Sequence, residues 1–114
     1  KVKIAIADYL QVNPNKTIKD VIVACYGLAF KPDIDDLRES PALNIAKSIA
    51  SFHPSKVLAI EPNIDELEVN NMMLSSIDFS LSNANIHVLL VDHYQFKKIK
   101  PSDKYIIDTR GIWN

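Results

Sequence analysis

Glycine is scarce in this chain of 114 residues: Gly27 and Gly111 are the only two. A G-x-G-x-x-G loop, the turn that brings a dinucleotide fold's backbone against a pyrophosphate, is therefore absent. Cysteine is scarcer. The lone Cys25 excludes an internal disulfide and is compatible with a reducing, cytoplasmic setting. No sign of charge dominates: 13 Lys and Arg against 14 Asp and Glu leave a net −1, with the signs interspersed. That argues against a nucleic-acid-binding stripe, which needs a basic excess on one face. No apolar run approaches the roughly 20 residues of a membrane span. The opening "KVKIAIADYL" lacks the apolar core and small-residue cleavage site of a signal peptide.

What is there suits a globular fold, with 47% hydrophobic and 24% charged residues. The length suffices for one domain, whose modest buried fraction partner domains or subunits would complete. The first residue is Lys1 rather than methionine, as in a fragment of a longer chain. "DVIVACYG" (20–27) is a nearly continuous apolar run, the mark of a strand covered on both faces. In "SPALNIAKSIASF", Ser40 suits an N-cap and Pro41 the first helical position. Ala42, Ile45, Ala46 and Ile49 recur at helical spacing and are predicted to face the core. "SKVLAIEPN" reads as a second strand. Residues 63–77 are weakly patterned, with a short helix at "IDEL" and a short strand near "MMLSSI". Asp78 is the predicted cap of a brief helix, "FSLSNA". "NIHVLLVDH" is a strand, "YQFKKI" a short helix or turn, and "DKYIIDTRG" a last strand. Strands alternating with helices predict an α/β fold, a three-layer α/β/α domain with a mostly parallel, doubly wound, Rossmann-like sheet. Residues 1–12 fit two patterns: Val2, Ile4 and Ile6 alternate like a strand, while Val2, Ile6, Tyr9 and Leu10 share a helical face. "NPNK" (13–16) is a turn or linker in either case.

In an open parallel sheet, ligands bind at the carboxyl ends of the strands. Four polar segments are predicted there: the loop 27–40, "EPN", "DH" and "DTRG". The loop "GLAFKPDIDDLRES" holds Lys31, Arg38, Asp33, Asp35, Asp36 and Glu39. Lys31 and Arg110 would converge near the N-terminus of the helix that begins at Pro41, a place suited to phosphate. One ammonium and one guanidinium suit a diphosphate or a sugar hydroxyl. The other reading of the residues alone is a solvated loop whose charges pair among themselves.

"YGLAFKPDIDDLRESPALNIA" resembles the opening of the C-terminal, UDP-binding domain of the UDP-glucose/GDP-mannose dehydrogenase family. "VLAIEPN", "LLVDHYQFK" and "IIDTRGIW" match later segments in the same order, so the resemblance covers essentially the whole chain. Within the family, these segments are most similar to members acting on UDP-N-acetyl-D-mannosamine, with UDP-N-acetylglucosamine and UDP-glucose as alternative substrates. The resemblance implies an NAD-dependent oxidation of a sugar C6 alcohol to a carboxylate in two hydride transfers, through a cysteine thiohemiacetal and thioester. It implies that Phe30, Lys31 and Arg110 contact UDP-sugar and that Arg38 reaches the NAD pyrophosphate. Asp33, Asp35 and Asp36 would order the loop, with no metal required. Residues 1–16 would be the end of an inter-domain helix and a linker, and residues 17–114 the UDP-sugar-binding domain. An N-terminal NAD-binding domain and a homo-oligomer of two or more chains are implied as partners, in bacterial cytoplasmic polysaccharide synthesis. The family's nucleophile belongs to a glycine-rich motif upstream, so residues 1–114 alone are expected to hold no catalytic residue and to be inactive.

Several residues invite a chemical role that their context argues against. Cys25 lies in an apolar strand without a neighbouring His or Lys to activate it. Asp92 and His93 are adjacent on extended chain and point to opposite faces, which disfavours a mutual dyad. Glu61 ends the second strand where a ribose-binding acid stands in a dinucleotide fold. It follows Gly27 by 34 residues, against about 20 in the fingerprint. His53 and His87 read as surface or packing residues, and Phe52, Phe96 and Trp113 as core or interface. Two rivals from other classes remain at this point: a receiver-like module and a purely structural dimerisation domain.

Overall fold

The computed structural model describes residues 1–29, 40–62, 68–69, 72–102 and 105–113. Helix α1 (Val2–Val12) leads through a 3-10 turn (Ile18–Asp20) into β1 (Val23–Tyr26). There follow α2 (Pro41–Phe52), β2 (Val57–Ile60), β3 (Glu68–Val69), β4 (Met72–Leu74), α3 (Ile77–Asn83), β5 (Ile86–Leu89), α4 (Tyr94–Lys97) and β6 (Ile106–Asp108). The strands form one sheet in the order β3-β4-β2-β1-β5-β6. Only β3 runs antiparallel, against β4; the other pairs are parallel. The mostly parallel, doubly wound α/β fold predicted from the alternation is the one observed. Counted along the chain, the five parallel strands lie in the order 3-2-1-4-5. That is the dinucleotide-fold order, distinct from the 2-1-3-4-5 of receiver modules, and it removes the receiver reading.

Strand β1 explains its own composition. It lies between β2 and β5, with Val23 level with Val57 and Ile86, and Tyr26 level with Ile60 and Leu89. Its odd residues Val23 and Cys25 pack with Ile6, Ala42, Ala46 and Ile49 from α1 and α2. Its even residues Ala24 and Tyr26 pack on the opposite face with Ala84, Phe96 and Trp113. Side chains alternate across a strand, so a strand with helices or aromatics on both faces is apolar except where a polar group finds a buried partner.

Local signals hold at the start of α2. Ser40 Oγ accepts the Leu43 N–H at 3.2 Å and donates to Leu28 O at 2.7 Å, tying the helix to the exit of β1. Pro41 stands at the first helical position. Ala42, Ala46 and Ile49 are buried, but Ile45 is 46% exposed, contrary to the prediction. At 100° per residue Ile45 falls on the margin of the arc that the other three define. α3 is capped by Ser76, whose Oγ accepts the Phe79 N–H at 3.1 Å. Asp78 sits inside the first turn instead of at the cap, where its charge still complements the helix dipole.

The first twelve residues take the helical pattern: Ile6 is buried, and Val2, Tyr9 and Leu10 pack against the core on the same face. The 3-10 turn is held by Asp20, whose Oδ2 accepts the Thr17 N–H at 2.9 Å, so the strand begins later than residue 20. Two-residue β3 is too short to show alternation. The "IDEL" helix lies outside the described residues.

Gly27 has φ +96°, and a Cβ there would stand 2.5 Å from Val91 Cβ and 2.9 Å from Val91 N. Replacing it with alanine combines left-handed strain with overpacking against backbone. Gly27→Ala should lower unfolding free energy by about 2–5 kcal/mol, read as a lower midpoint in urea. Cys25 is fully buried, and that burial pushes its thiol up to about 12. A thiol reagent should therefore label it slowly in folded protein and quickly in denaturant; fast labelling of the folded state would contradict its place in β1.

Candidate functional site

The chain leaves β1 for β2 on one side and reaches β5 on the other, so the loops beyond β1 and β5 diverge. This switch point is where an open α/β sheet forms its ligand crevice. Around it stand Gly27–Ala29 after β1, Glu61 and Pro62 after β2, Leu90–His93 after β5 and Thr109–Trp113 after β6. Phe30, Lys31, Asp33, Asp35, Asp36, Arg38 and Glu39 lie outside the described residues. Of the four residues predicted to bind ligand, Arg110 alone is placed.

Glu61 holds the loops together. Its Oε1 accepts N–H groups from Leu28 at 2.8 Å and Ala29 at 3.0 Å, and His93 Nε2 donates to it at 3.0 Å. Glu61 is 4% exposed and His93 fully buried. Side chains and backbone from the ends of β1, β2 and β5 thus meet on one oxygen. An acid at the end of a second strand can instead reach outward to a ribose, and Glu61 does not. It occupies, as an internal anion, the amides that a glycine-rich loop would present to a pyrophosphate. The sequence offered only a faint signal for this pair, since Glu61 and His93 are 32 residues apart. Each does directly follow a predicted strand, and topology supplies the rest.

The other histidines are structural. His53 Nε2 donates to Val21 O at 2.7 Å, and His87 Nδ1 shares a 2.8 Å hydrogen bond with Tyr26 OH. Tyr26 meets Phe96 and Trp113 edge-on, with ring centroids 5.6 Å and 5.0 Å apart. Trp113 Nε1 donates to Phe96 O at 2.9 Å. Phe96 and Trp113 are core, whereas Phe52 is 36% exposed beneath Lys3 Nζ.

Arg110 stands at the lip of the crevice. Its Nε donates to Leu90 O at 3.0 Å, which fixes the guanidinium beside the exit of β5. Its Nη groups have no partner among the described residues. A guanidinium held by Nε and open at both Nη atoms can grip a phosphate or carboxylate with two parallel hydrogen bonds. A cleft of about 530 Å³ opens near the ends of β2 and β4, lined by Glu61, Pro62, Ser75, Tyr94 and Gln95 among others. Among the described residues no group of three or more His, Cys, Asp and Glu could hold a metal, and no helix is long and apolar enough to cross a membrane.

Removing the Glu61 carboxylate strips two buried N–H groups of their acceptor and breaks the buried hydrogen bond to His93. Glu61→Ala should cost about 3–5 kcal/mol of stability. Glu61→Gln retains one acceptor oxygen and should cost about 1–3 kcal/mol. Urea unfolding of both variants checks the order; equal stability to wild type for Glu61→Ala would contradict the anchoring role.

Comparison with known proteins gives one answer at two levels. Residues 24–114 match the UDP-glucose/GDP-mannose dehydrogenase family, UDP binding domain. The chain is 47% identical to UDP-N-acetyl-D-mannosamine dehydrogenase of Yersinia pestis over 99% of its length, and 41% identical to NDP-N-acetyl-D-galactosaminuronic acid dehydrogenase of Ralstonia nicotianae over 87%. It spans 28% and 25% of those relatives. Among solved structures, UDP-D-ManNAc dehydrogenase of Pyrococcus horikoshii superposes with a TM-score of 0.71 at 26% identity, covering 99% of this chain and 27% of that one. With the dinucleotide-fold strand order, the motifs and these relatives in agreement, the chain belongs to the UDP-glucose/GDP-mannose dehydrogenase family, as its UDP binding domain.

Proposed function

We propose that the chain holds the UDP-sugar in an NAD-dependent nucleotide-sugar 6-dehydrogenase that acts on UDP-N-acetyl-D-mannosamine. The observation that carries this reading is Arg110, fixed through Nε at the crevice lip with its Nη groups open. The name and high identity of the Yersinia pestis relative support the choice of sugar. In this reading Arg110 and Lys31 hold the diphosphate or sugar, and Phe30 packs against the same ligand. Arg38 reaches the NAD pyrophosphate, steadied by Asp33, Asp35 and Asp36. Residues 1–16 are the end of a helix and linker arriving from a preceding domain, and the enzyme works as a homo-oligomer. When bound, NAD accepts the two hydrides released as the C6 alcohol becomes a carboxylate.

The described residues fit the UDP role better than a dinucleotide cradle of their own. The Leu28 and Ala29 amides are taken by Glu61, and Gly27 closes on Val91. NAD is therefore held mainly by another domain, with Arg38 as the contribution from this one. Residues 1–114 alone are accordingly inactive.

Steady-state kinetics on the intact enzyme test the assignment. A charge-assisted hydrogen bond contributes about 1.5–3 kcal/mol, so losing one should weaken binding about 10- to 150-fold. Lys31→Ala and Arg110→Ala should mainly raise KM for the UDP-sugar, and Arg38→Ala mainly KM for NAD. Wild-type kcat/KM for both substrates in all three variants would leave a solvated loop and a structural domain as the correct description.

A further inference from the structure

Asp108 closes β6, two residues before Arg110, yet its carboxylate does not pair with that guanidinium. Both oxygens are engaged by backbone. Oδ1 accepts N–H from Arg110 at 2.9 Å and from Gly111 at 2.7 Å, and Oδ2 accepts from Trp113 at 2.8 Å. Burial works against the charged form, but N–H groups of Trp113, Arg110, Gly111 and Ile112 outweigh it and hold the carboxyl below its usual range. The folded value being depressed, the stability that the carboxylate contributes is present above its unfolded value of about 4 and is lost as pH falls through the folded one. The turn is thus intact at neutral pH.

The turn that Asp108 organises is anchored at both ends. Before Arg110, Thr109 Oγ1 donates to Leu89 O at 2.7 Å. After it, Gly111 takes φ +76°, which side chains other than glycine rarely adopt. Trp113 then sinks into the core against Tyr26. Arg110 therefore leaves a backbone fixed on either side, and its Nε meets Leu90 O. An arginine on loose chain would have to lose its rotamer freedom on meeting the ligand. An aspartate ion-paired to it would compete with an incoming anion. The arrangement avoids both costs, because the acid is engaged by amides and the guanidinium charge remains available.

We propose that Asp108 is a positioning residue for nucleotide binding: acting through the backbone of residues 110–113, it sets where the Arg110 guanidinium meets the diphosphate of UDP. This rests on the assignment of Arg110 above. The test is UDP titration by calorimetry on the intact enzyme, comparing Arg110→Ala, Asp108→Asn and the double variant. Arg110→Ala should weaken UDP binding about 10- to 150-fold, and Asp108→Asn about 5- to 20-fold. If Asp108 acts through Arg110, the double variant should bind within about twofold of Arg110→Ala alone. Asp108→Glu, which keeps the charge but not the reach, should fail to restore affinity. Should Asp108→Asn not fold, Asp108→Ser, which keeps one acceptor, replaces it under the same criteria.

Wild-type affinity in Asp108→Asn beside a weakened Arg110→Ala would overturn the positioning role and leave the Arg110 assignment standing. Multiplicative losses in the double variant, or rescue by Asp108→Glu, would likewise overturn it, showing independent or purely electrostatic action. Wild-type affinity in Arg110→Ala would overturn the assignment itself, and this proposal with it.

Discussion

A carboxylate buried at the switch point of a parallel sheet must find donors, because isolated charge in a protein interior is costly by several kcal/mol. Glu61 finds them in the Leu28 and Ala29 amides and in His93. The exit of β1 is thereby bent over the end of β2, and the chain after β5 is drawn in beside it. Gly27 follows from the same constraint. Its positive φ starts the bend, and the absence of a Cβ lets the exit of β5 lie against it at Val91. Ser40 closes the far end of the loop by bonding Leu28 O. The crevice is therefore shaped from inside before any ligand arrives.

An internal anion at this place changes how an external one can be bound. A glycine-rich loop offers backbone amides to a phosphate; here those amides are already satisfied. In the proposed function side-chain cations grip the diphosphate instead, and Arg110, held through Nε, has its Nη groups open for that. Two carboxylates do comparable work at opposite ends of the crevice, Glu61 on the first loop and Asp108 on the last. Each is engaged by backbone N–H groups, and on the last loop this leaves the Arg110 guanidinium without a carboxylate partner among the described residues.

Much of this fold was legible in the sequence where burial is two-sided. β1 and β5 show near-continuous apolar runs because helices and aromatics cover both faces, and Ser40-Pro41 carries its own start signal for α2. Legibility failed where a pattern was too short or marginal. β3 has two residues, and Ile45 lies at the edge of a buried arc whose period it shares. Asp78 and Ser76 are both good capping residues, and only geometry chose between them. Arg110 could be singled out because its motif is contiguous. The Glu61–His93 contact could not, since it joins the ends of two strands whose adjacency through β1 is a property of the sheet.

That sheet is assembled from distant pieces. β1 pairs with β2 about a third of the chain away and with β5 a little more than half the chain away, as the alignments of Val23 with Val57 and Ile86 show. As the polypeptide emerges from the ribosome, β1 and β2 can meet while the other flank of β1 is still bare. Strand pairing over such separations is slow, because loop closure must precede the contacts that reward it. Until Ile86–Leu89 has been synthesised, the fully buried strand β1 exposes an unpaired parallel edge. Nascent chains halted in that interval present a ready surface for aggregation or for a chaperone.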